Sequence, residues 1–270
     1  MKNPVHFVIP IIALSLVGST MPGYSQLKTR QQADSIEVLV VFDNYSVDAT
    51  LDSSWGFGCV IRTPNDIILF DTGSDGSILL SNMEKMKIDP KSIDIIVLSH
   101  NHYDHVGGLD GFLHINNDVK VFMPNSFPNS LKEMVISHGA ELHEISISQQ
   151  ISDIAYTTGV MGTQIQEQSL VLDTNQGIVV ITGCAHPGIV EIIRKANEIL
   201  SNKEIYLVTG GFHLLQKSDA ELEDIINDFK HQGVQKVAPS HCSGDRCREL
   251  FHEEYGNDYI DSGVGKTLAL

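Results

Sequence analysis

The chain has 270 residues, 42% of them hydrophobic and 19% charged, enough to bury a large core in one domain. Its 34 acidic and 18 basic residues give a formal net charge of -16. A surface of that sign repels phosphate backbones and anionic bilayers, so nucleic acid is excluded as an expected partner.

Read from its start, the chain places Lys2 before the apolar stretch Phe7 to Val17 and then Gly23-Tyr24-Ser25, the pattern of a cleavable export signal over 1–25. The apolar stretch is broken by Pro10 and falls short of the roughly 20 residues of a spanning helix, so stable membrane insertion is not expected. Cleavage near Ser25 would make the protein periplasmic or secreted. The polar segment Gln26 to Asp34 reads as a flexible leader over 26–35, and the folded domain is expected over 36–270.

Short β-branched runs bounded by turn residues predict strands at Ile36 to Phe42, Gly58 to Arg62, Ile67 to Asp71 and Ile93 to Leu98. A helix is predicted over Gly76 to Met86, with Met83 and Met86 as core residues. A strand at Val119 to Met123, a helix at Pro128 to Ser137 and strands at Leu142 to Ile147, Ile154 to Thr158, Ser169 to Leu172 and Ile178 to Thr182 follow. The last third alternates helices, Ile189 to Leu200 and Ala220 to Gln232, with strands, Ile205 to Thr209 and Val234 to Ala238. Ser218 and Glu221 form a capping box at the start of the second helix. Meanders followed by strand-helix units predict an α/β sandwich of two facing sheets with helices outside. Trp55 and Phe57 read as core packing, with lining a pocket as the alternative.

Four cysteines, Cys59, Cys184, Cys242 and Cys247, are too few for a disulfide framework in a chain of this length. Cys59, inside a predicted strand, reads as a buried thiol.

The strand ending at Leu98 is followed by His100, His102, Asp104 and His105 within six residues. On extended backbone His100 and His102 point to one side and can share a metal, while Asp104 and His105 follow a turn and can reach a second metal about 3.5–4 Å away. Gly107 and Gly108 let the backbone close around such a site. Three later histidines, His186, His213 and His241, each follow a predicted strand in a glycine- or proline-containing turn. His186 and His241 are expected as ligands, and His213 as a ligand or a proton-handling group. Asp71, at a strand end, is expected to orient a ligand histidine. Cys184 is either a ligand or a small buried residue under the site. His114, His138, His143, His231 and His252 read as ordinary surface or core histidines.

These residues resemble the metallo-β-lactamase superfamily, whose H-x-H-x-D-H hallmark is matched by His100, His102, Asp104 and His105. Asp71-Thr72-Gly73 looks like the family's first motif and Ser240-His241-Cys242 like its last. The resemblance implies an αββα sandwich with a two-metal hydrolase site, zinc being expected and iron or manganese alternatives. Two departures stand out: Thr157 to Gly162 offers no histidine, and Thr182-Gly183-Cys184 carries cysteine where the family usually has a bridging aspartate. Together with "TGCAHPGI", "GGFHL" and "SHCSGD", they are similar to a branch named after 7,8-dihydropterin-6-yl-methyl-4-(β-D-ribofuranosyl)aminobenzene-5'-phosphate synthase.

The expected function is metal-dependent hydrolysis of a small-molecule ester, lactone, phosphoester or amide, since bound metal lowers the pKa of water to about 7. His100, His102 and His186 would hold one metal and Asp104, His105 and His241 the other. Asp104 and His213 are the expected catalytic groups. The alternatives are an iron-dependent oxidoreductase on the same scaffold, a non-catalytic metal or ligand binder, and a synthase like the named branch.

Overall fold

The computed structural model describes Met1 and residues 36–270, and the fold is that of residues 36–270. Met1 aside, the expected export signal over 1–25 and leader over 26–35 lie outside the described residues.

In chain order the strands are β1 (Glu37–Asp43), β2 (Phe57–Arg62), β3 (Ile67–Phe70), β4 (Ile95–Val97), β5 (Lys120–Pro124), β6 (Glu141–Ile145), β7 (Ile147–Gln150), β8 (Ala155–Gly159), β9 (Leu170–Asp173), β10 (Ile178–Thr182), β11 (Ile205–Gly211), β12 (Lys236–Ser240) and β13 (Thr267–Ala269). They form two sheets, ordered β13-β1-β2-β3-β4-β5-β6 and β12-β11-β10-β9-β8-β7. β3 to β6 run parallel, as do β10 to β12, and the remaining pairs are antiparallel.

Alternation along the strands builds three apolar layers. Val38 and Val40 of β1, Ile68 and Phe70 of β3, and Val179 and Ile181 of β10 meet between the sheets. Leu39 and Leu69 point the other way, onto α1 (Gly76–Lys85), α3 (Leu109–Ile115) and α4 (Asn129–His138), through Leu79, Met83, Phe112 and Val135. On the far side Ile178 and Val180 pack on α5 (Ile189–Ile199), α6 (Asp219–His231) and α7 (Asp245–Tyr255), through Ile192, Phe229 and Phe251. This is the αββα sandwich that the sequence predicts.

Several boundaries differ from the sequence expectation for physical reasons. The single strand expected over Leu142 to Ile147 is two strands, β6 and β7, because the chain crosses from one sheet to the other at Ser146. The helix α2 (Tyr103–Val106) occupies the turn inside the histidine cluster, and α3 and α7 are helices that the hydrophobic pattern does not announce. α7 carries Asp245, Arg246, Arg248, Glu249, Glu253 and Glu254, with Cys247, Leu250 and Phe251 as its buried face. The capping box is present: Ser218 Oγ accepts from the Glu221 N–H, and Glu221 accepts from the Ser218 N–H. Among the described residues all four cysteines are free thiols, and no helix is long and apolar enough to cross a membrane.

Candidate metal centre

Every candidate ligand sits just beyond the C-terminal end of a strand, where backbone leaves the ladder and side chains are free to converge. Asp71 follows β3, His100 to His105 follow β4, Cys184 and His186 follow β10, His213 follows β11 and His241 follows β12. Among the described residues five non-glycines have positive φ, and four of them lie here: Asp71 (55°), Ala185 (60°), His213 (56°) and His241 (47°). Such conformations persist only where surrounding contacts hold them. Gly183 shows how tight the packing is, since a Cβ there would fall 2.1 Å from Ser99 Oγ. At Gly108 a Cβ would meet Thr72 O at 2.2 Å.

Three donor groups share Cys184, and two of them draw on the His100 to His105 cluster. The ligand atoms of Asp104, His105, Cys184 and His241 lie within 4.8 Å of one another, as do those of His100, Cys184 and His186. Within the first group, Asp104 Oδ2 is 3.5 Å from His105 Nε2 and 3.2 Å from His241 Nε2, and Cys184 Sγ is 3.2 Å from His105 Nε2. Within the second, His102 adjoins His100, its Nδ1 being 3.0 Å from His100 Nε2, and the His186 ring lies 4.8 Å from that of His100 and 5.0 Å from that of His102.

Neighbouring acceptors set which ring nitrogen faces inward. Asp71 Oδ2 takes the His105 Nδ1 proton at 2.7 Å, and Asn44 Oδ1 takes that of His241 at 2.8 Å. Ser99 Oγ donates to Asp71 at 2.6 Å, which leaves the oxygen to accept from His100 Nδ1 at 2.9 Å. In the neutral form of each ring Nε2 is then the lone-pair nitrogen facing the centre, the arrangement by which partners of a metal-binding histidine fix its tautomer.

Burial, reinforced by the other histidines, holds His100 far below the usual imidazole range, and burial lowers His186 to about 4. Both rings are therefore neutral near neutral pH. Burial would lower His105 as well, but the Asp71 carboxylate outweighs it and raises the ring. Burial would raise Asp104, yet the neighbouring His241 and His105 rings keep it ionised well below its usual range.

One buried atom is informative: His186 Nε2 has no hydrogen-bond partner, whereas His241 Nε2 faces the Asp104 carboxylate at 3.2 Å. A buried imidazole nitrogen without a partner is costly unless something else occupies its lone pair. The imidazoles, the ionised carboxylate and the thiol that surround this atom are donor types expected of a zinc-type centre.

His213 is exposed, with its ring 4.3 Å from that of His186 and its donor atom near Cys184 and Cys242. The hydrogen bond with Cys242 raises its pKa against a partial loss of solvent. Trp55 corrects the core-packing expectation: it is 49% exposed, and its ring lies 4.8 Å from that of His241. Phe57 is core, as expected. His114 and His138 are not isolated, because both approach Asp110 on the outer helices, away from this centre.

Sequence reasoning missed Asn44 and Glu167. Asn44 reaches His241 across 197 positions, and no spacing rule marks it. Glu167 is 1% exposed and accepts from the backbone N–H groups of Cys184, Ala185 and His186. Burial lifts it to about 7 against the pull of those three bonds. A carboxylate two residues before the predicted strand Ser169 to Leu172, in a polar segment, gave no signal.

The chain matches the Metallo-beta-lactamase superfamily over residues 59–197, just over half its length, and belongs to that superfamily. It is 29% identical to the 7,8-dihydropterin-6-methyl-4-(beta-D-ribofuranosyl)-aminobenzene-5'-phosphate synthase of Methanocaldococcus jannaschii, over 88% of this chain and 97% of that protein. Among solved structures it is similar to a metal-dependent hydrolase of the beta-lactamase superfamily, with a TM-score of 0.72 and 28% identity over 86% of this chain and 98% of the other. It shares its fold with a diphosphatase of the PhnP family, at a TM-score of 0.59 and 15% identity over 87% and 97% of the two chains. The superfamily match does not reach residues 1–58, and no described residue bears on export. The expectation of a signal peptide, and of a periplasmic or secreted protein with it, is accordingly withdrawn.

Proposed function

We propose that the chain is a metal-dependent hydrolase acting on an ester, lactone, phosphoester or amide bond of a small molecule. The observation that carries this reading is the buried, unpartnered His186 Nε2, in a cluster with the neutral His100 and the ionised Asp104. His100, His102 and His186 would hold one divalent ion, and Asp104, His105 and His241 the other. Zinc suits this donor set best, with iron and manganese as alternatives. When bound, such a pair lowers the pKa of water towards neutrality and polarises the substrate oxygen.

The chain's own residues supply the rest. Asp71, Ser99 and Asn44 hold ring protons outward, so that each Nε2 is presented without rearrangement. The ionised Asp104 can accept a hydrogen bond from an attacking water and orient it. His213, exposed and with a raised pKa, is placed to protonate a leaving group. Trp55 offers a flat apolar wall beside His241 on which an organic substrate can lie.

The test is metal content and turnover of lactone, phosphodiester and β-lactam substrates by the wild type, His102→Ala and His241→Ala. Each variant is expected to lose bound metal and turnover together. Unchanged metal content in both would overturn the assignment.

A synthase reaction is the second reading, favoured by the 29% identity that extends over 97% of the archaeal synthase. A hydrolase turns over one organic substrate in water, whereas a synthase is silent until a second organic substrate is added. Turnover that appears only with both would replace the hydrolase reading.

A further inference from the structure

Two ligand-bearing segments come to the centre from different sheets: Ser99 to His105 after β4, and Cys184 to His186 after β10. Something must set the distance between them. The residues that do so are adjacent in sequence, Glu167 and Gln168, just before β9, and are 1% and 0% exposed.

Glu167 faces the second sheet's loop. Its Oε1 accepts from Cys184 N and Ala185 N, both at 2.9 Å, and its Oε2 from His186 N at 2.8 Å. Ala185 is left-handed, so three successive N–H groups converge in the concave arrangement that binds anions. The carboxylate fills that concavity from inside the protein, so these amides are not available to a substrate oxyanion. Paired backbone bonds with Met161, at 2.9 and 3.0 Å, hold Glu167 in place.

Gln168 faces the first sheet's segment. Its N–H donates to Ser99 O at 2.9 Å, and its Nε2 donates to Leu98 O at 2.8 Å and Phe122 O at 3.3 Å. Thr157 Oγ1 donates to its Oε1 at 2.6 Å, which fixes the amide the other way round. One dipeptide thus grips the backbone immediately before His100 with one residue and the backbone of His186 with the next.

We infer that Glu167-Gln168 is a positioning strut that sets the spacing between His100 and His186, and hence the shape of the donor group these two share with Cys184. Neither residue supplies a ligand atom; both act through the backbone of those that do. The metal consequence rests on the hydrolase reading above, whereas the strut itself does not.

Glu167→Gln keeps the volume, removes the charge and turns one acceptor oxygen into an NH2 facing an amide hydrogen. In the metal-free full chain, hydrogen exchange at 184–186 is expected to quicken at least tenfold, while the Thr72 amide, bonded to His105 O at 2.8 Å, keeps its protection. In a cobalt(II) titration, one of two equivalents should weaken by about 10- to 100-fold and the other should not move. Gln168→Leu, a second variant in case the first fails to fold, should quicken exchange over 99–102 and weaken the same equivalent. Unchanged exchange in both segments, or equal weakening of both equivalents as a general loss of stability would give, overturns the strut. If the wild type takes up no cobalt, the hydrolase reading fails and the exchange measurement alone decides the inference.

Discussion

The two donor groups that draw on the His100 to His105 cluster share Cys184 but differ in how firmly their rings are held. In the group with Asp104, both imidazoles are fixed by a side chain: His105 by Asp71 and His241 by Asn44. In the group with His186, only His100 has such a partner, Ser99, while His102 meets another histidine and His186 is held through its backbone by Glu167. Fixing a ligand's ring before metal arrives removes an ordering cost at binding, so the first group is the better prepared of the two. The second is held at the level of the loop and leaves its rings more freedom.

The largest way to break this comparison is to remove a ligand from the prepared group. His105→Ala is expected to cost one of two metal equivalents and to reduce turnover more than 100-fold, above the range for loss of an orienting partner. Metal analysis beside steady-state kinetics checks this. Asp71→Asn keeps shape but can no longer hold the His105 Nδ1 proton as a carboxylate does, and should weaken metal binding by about 10- to 100-fold. Competition with a chelator measures it, and an unchanged affinity would remove the basis for calling this group prepared. Asn44→Ala, which frees the His241 ring from a neutral partner, should fall near the lower end, at about 10-fold in the same assay.

Trp55→Ala touches the mouth of the site and none of its donors. Loss of an aromatic contact worth about 0.5–1.5 kcal/mol should raise KM by roughly 2- to 12-fold with kcat and metal count unchanged. Phe229→Ala, on the buried face of α6, is the control with the smallest effect on the centre. It should cost about 3–5 kcal/mol of stability by denaturant unfolding and leave two metals bound.

Much of the fold was legible in the sequence because strands buried on both faces read as continuous apolar runs: β10 is found at its predicted boundaries, and β2 and β3 within one residue of them. α7 was not legible, since its buried face is three residues among charged ones, and neither was the short edge strand β13. The break between β6 and β7 is a tertiary fact: both halves are strand-like, and only their pairing with different sheets separates them. In the site, histidines after apolar strands carry their own signal. Asn44, Glu167 and Trp55 do not, because each owes its place to a contact with residues far away in sequence.

The central claim is a two-metal centre in which one donor group is better prepared than the other. Zinc titration of the metal-free wild type tests it directly. The account predicts two equivalents per chain, the tighter of which is retained in Glu167→Gln and lost in His105→Ala. No bound zinc, or a tight equivalent that persists in His105→Ala, would contradict it.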